Sequence, residues 1–230
     1  MEDKKYWMWL SSIPGVGSKR FITLIDYFNK PENVFNSSEE ELIKCGLVPL
    51  NVIKQITTNR DIKKIDKYLN KVQEKNIKVY TIFDDNYPEN LKNIYDPPPI
   101  IYVRGDLIEK DNHSIAIVGS RKATDYGMKA AQKISSELAE LGITIASGMA
   151  LGIDTHAHRG AINGGGRTIA VFACGLNHVY PPSGLELAND IIKNGAIISE
   201  YPIGAKALPV CFPARNRIIS GLSLGTIVIE

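Results

Sequence analysis

Cysteine is scarce in this chain: Cys45, Cys174 and Cys211 are odd in number, widely spaced and without a CxxC pair. That excludes a disulfide framework and gives no zinc-ligand spacing. Long apolar runs are missing too; none approaches the roughly 20 residues that cross a bilayer. The charged start MEDKK is followed by no signal-peptide core. No membrane partner is expected, and the cytoplasm is the default address. Neither sign of charge is in excess, since the formal net charge is only +2, too little to imply a nucleic-acid partner unless the charges cluster. Two of the few histidines, His156 and His158, stand close together. On a helix, residues two apart point to nearly opposite sides, so one ion cannot collect both. Neither a metal nor another cofactor is expected, and no motif pairs a nucleophile with a base, so the chain is not expected to be an enzyme.

What the chain has is a series of loops rich in glycine and arginine in its second half. They are Ile117-Val118-Gly119-Ser120-Arg121, Ser147-Gly148-Met149-Ala150-Leu151-Gly152-Ile153-Asp154 and Phe212-Pro213-Ala214-Arg215-Asn216-Arg217. Each follows or abuts a short apolar run, the place where an open parallel α/β sheet holds its ligand. Glycine lets backbone N–H groups approach a phosphate, and arginine offers a planar fork of donors. The expected strands are 114–118, 143–146, 168–172, 196–199 and 226–230. They are continuous apolar runs, as when helices cover both faces of a parallel sheet. Between them, 125–141 carries Met128, Ala131, Ile134, Leu138 and Leu141 at helical spacing, stopped by Gly142. This βαβ alternation predicts an α/β fold with a Rossmann-like, mostly parallel sheet over 73–230. That sheet looks unfinished, because the last strand has no following helix; a fragment of a longer protein is the favoured reading.

Residues 1–72 differ in kind. Ile13-Pro14-Gly15-Val16-Gly17-Ser18-Lys19-Arg20, followed by the amphipathic 21–28, has the form of a helix-hairpin-helix within a small helical, SAM-like domain. Gly15, Gly17, Lys19 and Arg20 form a possible secondary DNA-binding site, in which a glycine turn and a helix N-terminus meet a phosphate. A turn that merely allows close helix packing, or a protein-docking module, is the open alternative. A second helical pair is expected at 39–45 and 50–56 about Gly46. Lys63, Lys64, Lys67, Lys71 and Lys75 line a further helix and read as a solvated face. Trp7 and Trp9, in the first helix, read as core.

From about Asn86 onward these blocks, with Tyr87-Pro88, Asp96-Pro97-Pro98-Pro99, Tyr102-Val103-Arg104-Gly105-Asp106, Ala157-His158-Arg159-Gly160-Ala161, Tyr180-Pro181 and Ser199-Glu200-Tyr201, resemble the bacterial DNA-processing protein A family, DprA or Smf. The resemblance implies a Rossmann-like domain that binds single-stranded DNA, forms a homodimer and helps load the recombinase RecA in natural transformation, the DNA uptake of competent cells. Carried onto matching positions, it implies a DNA-binding set of Gly119, Ser120, Arg121, Ser147, Gly148, Arg167, Arg215, Asn216 and Arg217. For Arg217 an internal salt bridge, to Glu200 or Asp154, is the alternative. If the four arginines neutralise about four phosphates, log affinity falls with log salt at a slope near −3. Asp154 and His158, four apart, share a helical face and read as a hydrogen-bonded pair that orients the loop, or else as an acid/base dyad. A tyrosine at the crevice could stack on a base. The rival reading is a small-nucleotide-binding or phosphoribohydrolase-like Rossmann protein. Gly164-Gly165-Gly166-Arg167-Thr168 lacks the proline and glutamate of the PGGxGTxxE signature that such hydrolases carry.

Overall fold

Helix-forming and strand-forming segments separate cleanly along the chain, and a computed structural model describes residues 4–230. The chain folds into two compact units, one comprising the chain up to Phe83 with Asp96–Ile100, the other Asp84–Tyr95 with Ile101–Glu230.

Among the described residues the first unit holds six α-helices: α1 (Lys5–Ser11), α2 (Ser18–Phe28), α3 (Pro31–Asn36), α4 (Glu39–Cys45), α5 (Leu50–Thr58) and α6 (Ile62–Glu74). Local chemistry sets their ends. Pro31 opens α3, where its missing N–H costs nothing, and Ser38 with Glu41 forms a capping box on α4. Asp61 accepts from the Lys64 N–H at the start of α6. One apolar core joins Trp9, Leu10, Phe21, Leu24, Val52 and Ile56, with Trp7 packed against it. The turn between α1 and α2 is anchored by buried Ile13 and Val16, while Gly15, Gly17, Lys19 and Arg20 stay exposed. Arg20 Nη1 donates back to the Gly15 carbonyl at 2.7 Å. The five lysines of the α6 segment are all exposed. The strand β1 (Lys78–Thr81) also belongs to this unit.

The second unit runs α7 (Glu89–Lys92), β2 (the Ile100–Gly105 strand, from Ile101), β3 (Ser114–Gly119), α8 (Asp125–Glu140), β4 (Thr144–Ser147), α9 (Ile153–Asn163), β5 (Thr168–Val171), α10 (Leu185–Asn194), β6 (Gly195–Ser199), α11 (Cys211–Leu222) and β7 (Gly225–Ile229). Its strands lie in the order β2-β6-β5-β4-β3-β7. All pairs are parallel except β2 with β6, where Tyr102 faces Ser199 and Gly105 faces Ala196. From β3 the chain winds outward through β4, β5 and β6, then returns across the sheet to lay β7 on the other side of β3. Ile115, Ile117, Ile145, Ile227 and Ile229 pack with Ala131, Ala157 and Ala161, so the period-two face of the strands meets the small residues of α8 and α9. α8 ends in a Schellman motif, in which the Ile143 N–H bonds the Leu138 carbonyl and the Gly142 N–H that of Ala139. The Ser114 hydroxyl, from the alternate face of β3, donates to the Leu222 carbonyl of α11 at 2.7 Å.

Candidate nucleic-acid interface

At the carboxyl edge of a parallel strand the chain turns into a helix, and the loops after β3 and β4 do so while gripping one another. The Ile153 N–H bonds the Ser120 carbonyl. Gly152 holds φ +80° against that same carbonyl, where any Cβ would collide. These loops, β7 and α11 enclose a cleft of about 400 Å³, with Gly119, Arg121, Asp154, Arg215, Asn216 and Arg217 among its walls. A second hollow of about 360 Å³ adjoins it, sharing Arg121, Arg215 and Asn216 and adding Tyr180 and Phe212.

The four arginines behave differently from one another. Arg121 is exposed, and its guanidinium lies 5.0 Å from the centre of the Phe212 ring. Phe212 in turn meets Tyr180 at 5.7 Å between centroids. Arg215 is 3% exposed. It donates to the Gly148 carbonyl at 2.7 Å, to the Val171 carbonyl, and through Nε to the Asn216 side chain. Its role is to hold the carboxyl ends of β4 and β5 to α11. Arg217 lines the cleft but makes a two-toothed ion pair with Glu200, at 2.6 and 3.0 Å, which is the internal salt bridge expected as its alternative. Arg167 is not brought to the cleft. It precedes β5 and therefore sits at the amino edge of the sheet, paired with Asp111 at 2.8 Å.

Two of the loop N–H groups are also occupied by one carboxylate. Gly148 and Ala150 both donate to one oxygen of Asp154, each at 3.2 Å. Burial pushes the Asp154 carboxyl above its ordinary range, against the pull of the Ala150 N–H and the Arg215 charge. The Ser147 hydroxyl donates to the Ile117 carbonyl, the Ser120 hydroxyl accepts from the Lys122 N–H, and Gly119 packs against the Ile229 backbone. The expected Asp154–His158 pair does not form. His158 Nδ1 instead meets the Thr168 hydroxyl at 2.7 Å, and burial drives the imidazole pKa down to about 3. His156 turns its Nδ1 to the Gly152 carbonyl. Among the described residues no group of His, Cys, Asp and Glu could hold a metal ion. The segment Gly164–Gly166 turns α9 into β5 at the amino edge, away from the cleft. A third hollow, of about 290 Å³, is lined by Asp85, Glu109 and Asp111 with no basic residue, the wrong sign for phosphate.

Two contributors escape a reading of glycine and arginine alone: Asp154 as the floor of the cleft and Phe212 as the ring beneath Arg121. For Phe212, in the first turn of α11, only the fold reveals it.

A doubly wound, mostly parallel sheet with its basic and aromatic side chains gathered at the carboxyl edge defines the Rossmann-like class of phosphate- and nucleotide-handling proteins. Within that class the chain belongs to the family described as DNA recombination-mediator protein A, whose model matches residues 78–230. The chain is 37% identical over 232 residues to protein Smf of Synechocystis, a match covering 99% of this chain and 58% of that protein. The crystal structure of DNA processing protein A from Streptococcus pneumoniae superposes with a TM-score of 0.83 at 33% identity, over 98% of this chain and 77% of that one. DNA processing protein A from Helicobacter pylori, described for its single-stranded DNA binding mode, superposes at 0.59 with 31% identity, over 66% and 68%. No helix among the described residues is long and apolar enough to cross a membrane.

Proposed function

We propose that this chain binds single-stranded DNA without sequence preference and without catalysing a reaction, at the carboxyl edge of its sheet. The observation that carries this reading is the exposed Arg121 stacked on Phe212, with Tyr180 beside that ring. A guanidinium placed on one aromatic ring with a second ring beside it offers a phosphate contact and a stacking surface side by side, the two things a flexible single strand presents at every nucleotide. Arg215, Gly148 and Ser147 contribute by holding the loops, Asn216 by exposing an amide on the rim, and Arg217 carries a charge already balanced by Glu200. With one or two phosphates neutralised at this edge, the salt slope lies between about −0.7 and −1.4, shallower than four free arginines would give. The turn of Gly15, Gly17, Lys19 and Arg20 is a second phosphate contact in this proposal. Self-association, RecA loading and action in natural transformation extend it to the longer proteins of the family, and a cytoplasmic address goes with it.

The test is fluorescence anisotropy of a labelled single-stranded oligonucleotide across salt concentrations, with a duplex for comparison and with Arg121→Ala and Phe212→Ala. Salt-dependent, single-strand-preferring binding that both substitutions weaken is the expected result. Equal affinity for the duplex, or unchanged binding in both folded variants, overturns the proposal. For the extension, the readout is RecA filament formation on a protein-coated single strand, which the chain is expected to accelerate.

A further inference from the structure

In a Rossmann-like unit a terminal phosphate is held by loop N–H groups, a helix N-terminus and a nearby cation. All three converge here on one point, and a side chain of the protein already stands there. Asp154, in the first turn of α9 and 5% exposed, takes the N–H groups of Gly148 and Ala150 on a single oxygen. The Arg215 guanidinium is near enough to act on the same carboxyl through its charge. A Cβ on Gly148 would come within 2.6 Å of Arg215 Nη2 and 2.8 Å of the Asp154 oxygen, so both groups press against this one α-carbon. A buried arginine keeps its charge, and the Arg215 charge favours the ionised form of the Asp154 carboxyl against the effect of burial. The start of α8, also at this edge, is filled as well: the Glu230 carboxylate accepts from the N–H of Thr124, at 2.8 Å, and from its hydroxyl.

We infer that Asp154 is the resident anion of the cleft floor, a specificity-determining residue that shuts out the terminal phosphate of mononucleotides and leaves only the rim, at Arg121, for phosphodiesters. A phosphate monoester dianion pushed to the floor would meet a carboxylate in place of donors. A diester passing over the mouth never approaches it. This deepens the single-strand reading of the same site and depends on it only for the diester half.

The experiment is amide NMR of the wild-type chain and of Asp154→Asn, titrated separately with AMP and with a short oligothymidylate. In the wild type, AMP should leave the Gly148 and Ala150 amides unmoved. In Asp154→Asn the negative charge is gone but the shape is kept, and AMP should shift both amides, with affinity raised on the order of ten- to a hundredfold. AMP shifting those amides in the wild type, or a folded Asp154→Asn that gains no AMP binding, overturns the inference. Should the variant not fold, the wild-type titration decides: unmoved Gly148 and Ala150 amides support it and AMP-shifted ones sink it. Loss of oligothymidylate binding alone, with the AMP gain intact, counts against the single-strand reading and not against this one.

Discussion

The two edges of the sheet each hold a buried aspartate beside an arginine, and the two pairs do different work. At the amino edge Asp111 takes two guanidinium nitrogens of Arg167, the Thr144 hydroxyl and the Ile108 N–H. Every acceptor is spent on the chain itself. At the carboxyl edge Asp154 and Arg215 also bind the chain, but the loops around them diverge into helices and leave a cleft above. The residue types are the same, but of the two pairs only Arg167 and Asp111 stand in direct contact among the ion pairs of the described residues. What differs is strand polarity, which puts helix N-termini and turning loops on one side only. A buried aspartate near an arginine therefore acts as part of a staple at one edge and as the floor of a site at the other.

The largest expected effect breaks the second pair. Arg215→Ala leaves the Asp154 charge buried and unmatched and strands the Gly148 and Val171 carbonyls, so chemical denaturation should show a loss of about 3–5 kcal/mol. A loss below about 1 kcal/mol would mean that Arg215 is a free ligand-binding side chain after all. Arg167→Ala removes a staple whose acceptor keeps its Thr144 and Ile108 donors; about 1–3 kcal/mol of stability should go, with oligonucleotide affinity of the folded fraction unchanged. An affinity loss there would erase the distinction between the edges. Arg121→Ala should do the converse. Stability stays within about 0.5 kcal/mol, affinity for single-stranded DNA falls by roughly 2 kcal/mol, about thirtyfold, and the salt slope shrinks by about 0.7.

Polarity is also what made part of this legible in advance. Residues that follow a parallel strand reach the carboxyl edge, as Arg121 and Gly148 do. One that precedes a strand cannot, and Arg167 stands directly before Thr168. The inward turn of Arg215 was likewise written in its spacing: it shares the helical phase of Ile218, Ile219 and Leu222, all buried, whereas Asn216 lies in the exposed phase. The strands of the winding βαβ region and the helices at 39–45 and 125–140 follow from apolar periodicity and glycine stops within a residue or two. The antiparallel course of β2 does not, since a strand buried on both faces has the same apolar run in either direction. Nor does any local pattern bring Phe212 under Arg121, because a loop of irregular backbone sets that contact.

The smallest expected effect tests whether the two edges also differ toward protons. Thr168 gives its only hydroxyl hydrogen to the Ile145 carbonyl, so it must accept from His158 Nδ1–H, which leaves Nε2 as a bare acceptor in the core. Burial first, and the Arg215 charge second, lower this imidazole from 6.5 to about 3. The folded chain thus holds His158 neutral where the unfolded chain takes up a proton. Its stabilisation is complete above pH 6.5 and is lost as the pH falls toward 3, about 1.4 kcal/mol of it between pH 7.5 and 5.5. Asp154 works in the opposite sense, because a carboxyl pushed up by burial favours the folded state as the pH falls. Denaturation of the wild type and of His158→Gln at the two pH values separates them. The variant should lose the His158 share of the acid sensitivity and show a flatter or reversed profile governed by the carboxyl edge. Identical profiles would mean that proton uptake on unfolding does not arise at His158.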